Sequence, residues 1–287
     1  MPRILASFAE RAAFPRRVTR RVAGVLAVGA GLLAAGVFTM NEAAASPPAG
    51  PGYLVVIGKG TDRERMMAYS RALPPVYAKA GGRYLAIGGP GRGVEWLAGP
   101  WRDRSLVLAR FDGVPQVHAF WWGDDYRAAV RLRERAGQFT VVAVPGVPDD
   151  AAGAAPAAAV YLVEATVTRD AAAYDAYRRA FETLLAAHGG AVLAPGEPAA
   201  YAALEGDPLY DRIALAMLPS RAALEAMLAD ARAAELAALR ERAGLSLLAV
   251  ANAAPAAPAV PAGPTAPPSA PSPAAPASPP PASSPPR

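Results

Sequence analysis

Leu132-Arg133-Glu134-Arg135-Ala136-Gly137 returns unchanged as Leu239-Arg240-Glu241-Arg242-Ala243-Gly244. An identity of this length marks an internal repeat, and a repeat has to be settled first because it divides the chain. Working outward, Tyr53–Val144 and Tyr161–Val250 match: each begins Tyr-Leu-Val and closes on an apolar run ending Ala-Val. In the first copy Tyr53–Ile57 is a continuous apolar run and reads as a buried strand. Thr61 with Glu64 forms a capping box for a helix whose stripe is Met66, Tyr69, Leu73, Val76 and Ala80. Pro74 and Pro75 predict a kink or a restart in it. Gly81-Gly82 ends it, and Arg83–Ile87 is the second strand.

Gly88–Gly93 is glycine-rich, but it lacks the lysine and the following helix of a phosphate loop and reads as a hairpin connection into Val94–Leu97. Ser105–Phe111 is the next strand. A helix from Pro115 to Arg135, pausing at Gly123-Asp124-Asp125, leads to the last strand, Gln138–Val144. The order β-α-β-β-α-β is ferredoxin-like. In the second copy Val160–Val167 repeats the first strand. Asp170 caps a helix with the stripe Tyr174, Tyr177, Phe181, Leu184 and His188, and Ser220 caps the later one. Asp211-Arg212 is matched to Asp103-Arg104. The copies are not equally equipped: Trp121, Trp122 and Tyr126 correspond to Leu228, Ala229 and Ala233.

The flanks differ in composition. Six arginines precede the uncharged run Val22–Met40, and Ala43-Ala44-Ala45 follows. Residues 1–45 therefore read as a secretory signal cleaved after Ala45, or as a membrane anchor, since the 19-residue run is long enough to span a bilayer. In either case the arginines place the rest of the chain outside the cytoplasm, periplasmic or extracellular. Residues 46–52 and 145–159 are linkers. Residues 253–287 hold 14 prolines among alanine and serine, too little apolar area to offset the entropy of ordering, so a disordered tail is expected.

The pI near 9.7 suggests nucleic acid until the charge is located. The leader and Arg287 carry all of the excess. Residues 46–144 are net +6 and residues 145–252 net −6. A neutral body argues against phosphate-backbone binding, and the opposite signs suit two units packing on each other. With no cysteine and only His118 and His188, neither a disulfide framework nor a zinc site is expected.

Tyr69 or Tyr177 in the first helix, Ala80-Gly81-Gly82-Arg83-Tyr84-Leu85 or His188-Gly189-Gly190 after it, and Leu97-Ala98-Gly99 or Leu204-Glu205-Gly206 further on follow one pattern. With Asp-Arg before the third strand and with Trp121, Tyr126 and Arg133, each copy (residues 53–144 and 160–252) resembles the domain-of-unknown-function 1330 family. That resemblance implies dimeric α/β-barrel proteins, in which two ferredoxin-like units join sheets around a pocket, and no established reaction. Here both units lie on one chain. The expected fold is therefore α+β, two tandem ferredoxin-like units forming an intramolecular pseudo-dimer, monomeric as a protein.

The candidate ligand residues are Tyr69, Trp121, Trp122, Tyr126, Arg133 and His188: aromatic faces with a cationic end, suited to a small planar or acidic ligand in the barrel pocket. The competing assignments are that the aromatics are core, that Arg133 and Arg240 are solvated helix-end charges, and that His188 sits on the helix macrodipole. No cofactor, metal or nucleic acid is expected, and the membrane enters only through residues 22–40. Three functions follow: an exported small-ligand binder, a cofactor-free monooxygenase- or isomerase-like enzyme by fold analogy alone, or an interaction protein acting through its tail.

Overall fold

A computed structural model of the chain describes residues 50–148 and 151–255. The leader and the tail beyond Pro255 lie outside the described residues. Among the described residues, no helix is long and apolar enough to cross a membrane.

In the first repeat β1 (Gly52–Gly60) leads into α1 (Arg63–Lys79), β2 (Arg83–Pro90), β3 (Gly93–Ala98) and β4 (Ser105–Phe111). Then come α2 (Val114–Trp122), α3 (Asp124–Arg131) and β5 (Gly137–Pro145). The second repeat runs β6 (Val160–Thr168), α4 (Ala171–Ala187), β7 (Ala191–Pro195), β8 (Ala202–Glu205), β9 (Arg212–Leu218), α5 (Arg221–Ala229), α6 (Ala233–Ala243) and β10 (Gly244–Asn252). The ten strands among the described residues belong to one sheet, ordered β7-β9-β6-β10-β3-β2-β4-β1-β5-β8.

That order contains two ferredoxin-like sheets, β2-β4-β1-β5 and β7-β9-β6-β10, and two strands that have left home. β3 pairs with β10 of the other repeat, placing Ala98 opposite Leu248, and β8 pairs with β5, placing Glu205 opposite Val141. The exchange is reciprocal, as at a two-fold interface, although both halves are one chain. The glycine-rich turn at Gly88–Gly93 is thus no ordinary hairpin connection. β3 touches β2 only at Gly89–Gly93 and Pro90–Val94, then leaves for the second repeat. The segments just after the two repeats repeat the exchange: Val147 N–H donates to Leu193 O at 2.9 Å and Ala254 N–H to Leu85 O at 2.7 Å. Ala253 and Ala254, expected to open the tail, are therefore tied to the first repeat.

Side chains alternate across the sheet, so each strand feeds two layers. Tyr53, Val55 and Ile57 of β1 and Tyr161, Val163 and Ala165 of β6 face a shared apolar interior with Trp96, Leu106, Leu108, Ile213, Leu215 and Leu247. The intervening residues face the helices, Leu54 under α1 and α2, Leu162 under α4 and α5. Covering both faces is why the strands read as unbroken apolar runs.

The repeated six residues have a common job. Ala136 and Ala243 are fully buried. Their carbonyls accept from the backbone just before the first helix of each repeat, Thr61 N at 2.7 Å and Arg169 N at 2.8 Å. The glycine after each leaves no room for a side chain: a Cβ on Gly137 would stand 2.3 Å from Lys59 O, and one on Gly244 2.0 Å from Val167 O.

Three local expectations are corrected. Asp62, not Thr61, caps α1 by accepting from Arg65 N at 3.1 Å, matching Asp170 at α4. Of the kink or restart expected at Pro74 and Pro75, the restart does not occur: α1 continues through both as one helix. The carbonyls these prolines cannot satisfy belong to Ser70 and Arg71, which are exposed and reach water. Lastly, Gly58 pairs with Ser105 where Thr166 pairs with Arg212, so Arg212 corresponds to Ser105 and not to Arg104. A one-residue offset changes the face a strand residue presents. Arg212 is consequently buried on the sheet, whereas Arg104 precedes its strand and stacks on Trp101 at 4.4 Å.

Candidate functional site

Three of the six expected residues meet, on the helix side of the first repeat and not in the sheet interior. The Tyr69 and Tyr126 hydroxyls are 2.9 Å apart. The Arg133 guanidinium lies 5.1 Å from the Tyr69 ring centre and 4.3 Å from that of Phe139. Its two terminal nitrogens donate to the two carboxylate oxygens of Glu205, one at 2.8 Å. Arg133 is 5% exposed, so it is no solvated helix-end charge. Burial alone would lower its pKa, but Glu205, with Tyr69 and Tyr126 adding, more than reverses this. Burial raises the Tyr126 pKa, Tyr69 raises it further and Arg133 offsets part of the rise. Glu205 arrives on the exchanged strand β8, so the cluster joins the repeats. With a carboxylate already seated on the guanidinium, it is a latch.

Of the other three, Trp121 packs against the cluster, buried with its ring 4.6 Å from that of Tyr126 and its indole N–H unpartnered, while Trp122 and His188 stand apart. Trp122 is 58% exposed, with Arg127 at 5.7 Å from its ring. His188 ends α4, where Nε2 lies 3.2 Å from Asp230 Oδ2. Arg232, ahead of His188, holds the Asp230 pKa well down. An open groove of about 460 Å³ between α1, α2 and α3 is lined by Phe120, Asp124, Asp125 and Tyr126 and spanned by the Lys79–Asp125 ion pair.

The corresponding place in the second repeat is built differently. Tyr177 takes the position of Tyr69, and Arg240 that of Arg133. Tyr126, Phe139 and Glu205 are replaced by Ala233, Ser246 and Ala98. Glu164 stands on β6 where the first repeat has Val56, and it is 4% exposed. The Tyr177 hydroxyl donates to Glu164 Oε2 at 2.9 Å. Arg178, 7% exposed, comes within 4.0 Å of the same oxygen and pairs with Glu182 at 3.2 Å. Thr166, two residues along the same face, stands opposite Ser246 across β6 and β10.

Thr166 Oγ1 and Arg178 Nε are buried without a hydrogen-bond partner, and Glu164 Oε1 and Ser246 Oγ, also buried, find none beyond the contact between Glu164 and Ser246. Elsewhere among the described residues only Tyr53 and Trp121 leave such an atom. Arg240 has no ion-pair partner within 4.0 Å among the described residues, though its charge acts on Glu164. Burial raises the Glu164 pKa above the ordinary 4.5, while Arg240, Arg178, Tyr177 and Ser246 offset part of the rise. Burial, and then Glu164, push Tyr177 well up.

This gives a signed pH effect. The folded chain holds the Glu164 proton more tightly than the unfolded chain, so the group favours folding below 4.5 and loses that contribution as pH rises through its raised folded pKa. Urea unfolding of the protein and of Glu164→Gln across this range should show the stability of the protein relative to the variant climbing as pH falls from neutral toward 4.5. A flat difference would mean that Glu164 titrates as it does in the unfolded chain.

Sequence reasoning alone does not reach Glu164, Arg178 or Ser246. A signal for Glu164 does exist: one carboxylate interrupts the apolar run Val160–Val167 where the first repeat has valine. Phe139 and Glu205 carry no such signal, because their contact with Arg133 depends on β8 crossing between repeats. Among the described residues no group of three or more His, Cys, Asp and Glu could hold a metal ion.

The architecture is an α+β one, a curled ten-stranded sheet with helices on its outer face, of the type seen in dimeric α/β-barrel proteins. The family described as domain of unknown function (DUF1330) matches residues 51–147 and again residues 159–253, and the chain belongs to that family. No curated protein matches it. Among solved structures, a protein of unknown function from Rhodopseudomonas palustris is 21% identical over 36% of this chain and 86% of its own, with a TM-score of 0.30. A heme-binding protein from Thermus thermophilus is 12% identical over 71% of this chain and 92% of its own, at 0.37. A mutant chlorite dismutase from Candidatus Nitrospira defluvii is 7% identical over 72% and 92%, at 0.42. Likenesses this weak carry no activity across.

Proposed function

We propose that the protein binds a small polar ligand on the helix side of its second repeat, between β6, β10, α4 and the end of α6. One observation carries this reading: buried polar atoms of Glu164, Thr166, Arg178 and Ser246, without partners outside their own group, gather where the first repeat, with the same fold, is closed by Val56, Phe139 and a satisfied arginine. The first copy shows that the architecture needs none of them. An unsatisfied buried donor or acceptor costs about 1–3 kcal/mol, so their retention points to a partner that satisfies them.

The expected interior pocket does not support binding as well, because apolar side chains of both repeats fill that space. The Arg-rich start ahead of Val22–Met40 supports a site working outside the cytoplasm.

The test compares thermal unfolding of the full chain with that of Glu164→Val/Ser246→Phe, which writes the first repeat's residues into the second, against small carboxylates, amines and neutral amides. At 100 times its Kd a specific ligand adds about 2.7 kcal/mol, or roughly 5–10 °C for a chain this size. At least one class should stabilise the protein and leave the variant unmoved. If every class acts equally on both, there is no site here.

A further inference from the structure

Two ion pairs join the repeats, and each has its acid on an exchanged arm. Glu205 on β8 holds Arg133 of the first repeat, and Glu95 on β3 holds Arg221 of the second at 2.5 Å. The strand register makes the arms equivalent. Glu95 stands opposite Val250 and Ala98 opposite Leu248 on β10, as Ala202 stands opposite Ala143 and Glu205 opposite Val141 on β5. Ala202 is thus the counterpart of Glu95, and Ala98 that of Glu205. The cations differ between repeats as well, since Arg221 opens α5 where Val114 opens α2. Val114 and Ala202 both pack against the helix-side core of the first repeat.

Pairing between like repeats breaks these contacts. Two first repeats would set Ala98 against Arg133 and Glu95 against Val114, leaving on each side a guanidinium that is 5% exposed without its acceptor. Two second repeats would set Ala202 against Arg221. They would also bring Glu205 to Arg240, whose charge already acts on the buried Glu164, so that a second carboxylate meets a like charge. Net charge acts in the same direction: residues 46–144 carry +6 and residues 145–252 carry −6, so unlike repeats attract and like repeats repel.

We infer that the crossed arms are a pairing code: the face of the first repeat that receives β8 accepts a second repeat and rejects another first repeat, with Arg133 and Glu205 setting the choice. The partner that fits this face is the other half of the same chain. Arms that fitted either repeat would let first repeats join first, and second join second, between chains. A tandem chain pairing in that way at both of its units grows into open-ended assemblies. Specificity of this kind comes as much from what a wrong partner leaves unpaired as from what the right one gains. Arg133 suits the role, because a guanidinium cannot shed its proton to escape burial without a carboxylate. The inference is independent of the ligand site in the second repeat.

The test moves the acid from one arm to the other in the full chain, Ala98→Glu/Glu205→Ala, and reads the mass of the folded species by native mass spectrometry and sedimentation. In this variant Arg133 finds a carboxylate only on another first repeat. Stranding it within the chain forfeits about a hundredfold or more in the pairing constant. The linker, at roughly millimolar effective concentration, favours the chain's own halves by only about tenfold over a partner at about 0.1 mM. At that concentration the protein and Glu205→Ala should both hold the mass of one chain. The double variant should show two-chain and larger species whose share rises with concentration. A folded double variant that stays at the mass of one chain overturns the code, and so does a protein that assembles as readily as the variant. Should the double variant not fold, Arg133→Met decides the matter. With the rejecting group removed, larger species should form, and the mass of one chain alone would overturn the inference.

Discussion

Replacing Glu205 by alanine lowers the unfolding free energy by about 3 kcal/mol, the lower end for breaking a buried ion pair because the Glu205 side chain is 32% exposed. The loss comes from what remains. Arg133 keeps its burial and its stacking, but both terminal nitrogens lose their acceptors. A guanidinium cannot shed its proton to escape, so the charge stays buried and unpaired. The effect extends beyond one contact, because Glu205 lies on β8 and its bond to Arg133 is a side-chain clamp between repeats. Arg133→Met should cost less than Glu205→Ala, since it removes the stranded charge and keeps an apolar stem against Phe139 and Tyr69. The double substitution should cost less than the sum of the two. Urea unfolding of all four proteins measures this cycle. A Glu205→Ala change below about 0.5 kcal/mol would mean that solvent already screens the pair, as at an ordinary surface bridge.

How far the fold is legible in the sequence depends on the range of the interactions. The repeated Leu-Arg-Glu-Arg-Ala-Gly locates both units by its identity alone; its work is long-range, a buried alanine, a glycine without room for a side chain, and a carbonyl bonded to the backbone ahead of that repeat's first helix. Strand and helix order follows from alternation and capping, which are local. The exchange of β3 and β8 is not legible. Val94–Leu97 and Ala202–Glu205 are short, and nothing within them says which sheet they join. The candidate site is limited by the same exchange. Helical spacing singles out Tyr69, Tyr126 and Arg133, and these do meet. The carboxylate that closes their cluster comes from the far arm, and it turns an expected ligand pocket into a latch. Comparing the copies position by position exposes the other site, but only once the structure fixes which positions correspond. At the third strand the matched Asp-Arg pairs are offset by one residue, and that offset conceals the burial of Arg212.

Writing the first repeat into the second with Glu164→Val/Ser246→Phe should stabilise the ligand-free protein by about 1–4 kcal/mol, the range found when a buried ionic cluster is exchanged for packed apolar groups. Three gains add up. A buried carboxylate that burial drives toward protonation is removed. Glu164 Oε1 and Ser246 Oγ, buried with no partner beyond the contact between these two residues, disappear with it. Arg240 acquires an aromatic face of the kind Phe139 gives Arg133. Arg178 is not stranded, because it keeps Glu182 at 3.2 Å and the Phe181 ring at 4.9 Å, and Arg240, which loses Glu164, is only half-buried and reaches solvent. The opposing term is overpacking by the larger ring, about 1–3 kcal/mol in a tight core, but Ser246 is only half-buried and Ala233 is smaller than the Tyr126 of the first repeat. The two substitutions therefore separate stability from function in opposite directions: a more stable fold that has lost its ligand is what a binding site held at the expense of folding produces. The reverse result, a loss of more than about 1 kcal/mol with secondary structure retained, would make Glu164, Tyr177 and Arg178 a structural network like the latch in the first repeat. The residues that distinguish the two copies would then be two solutions to one packing problem.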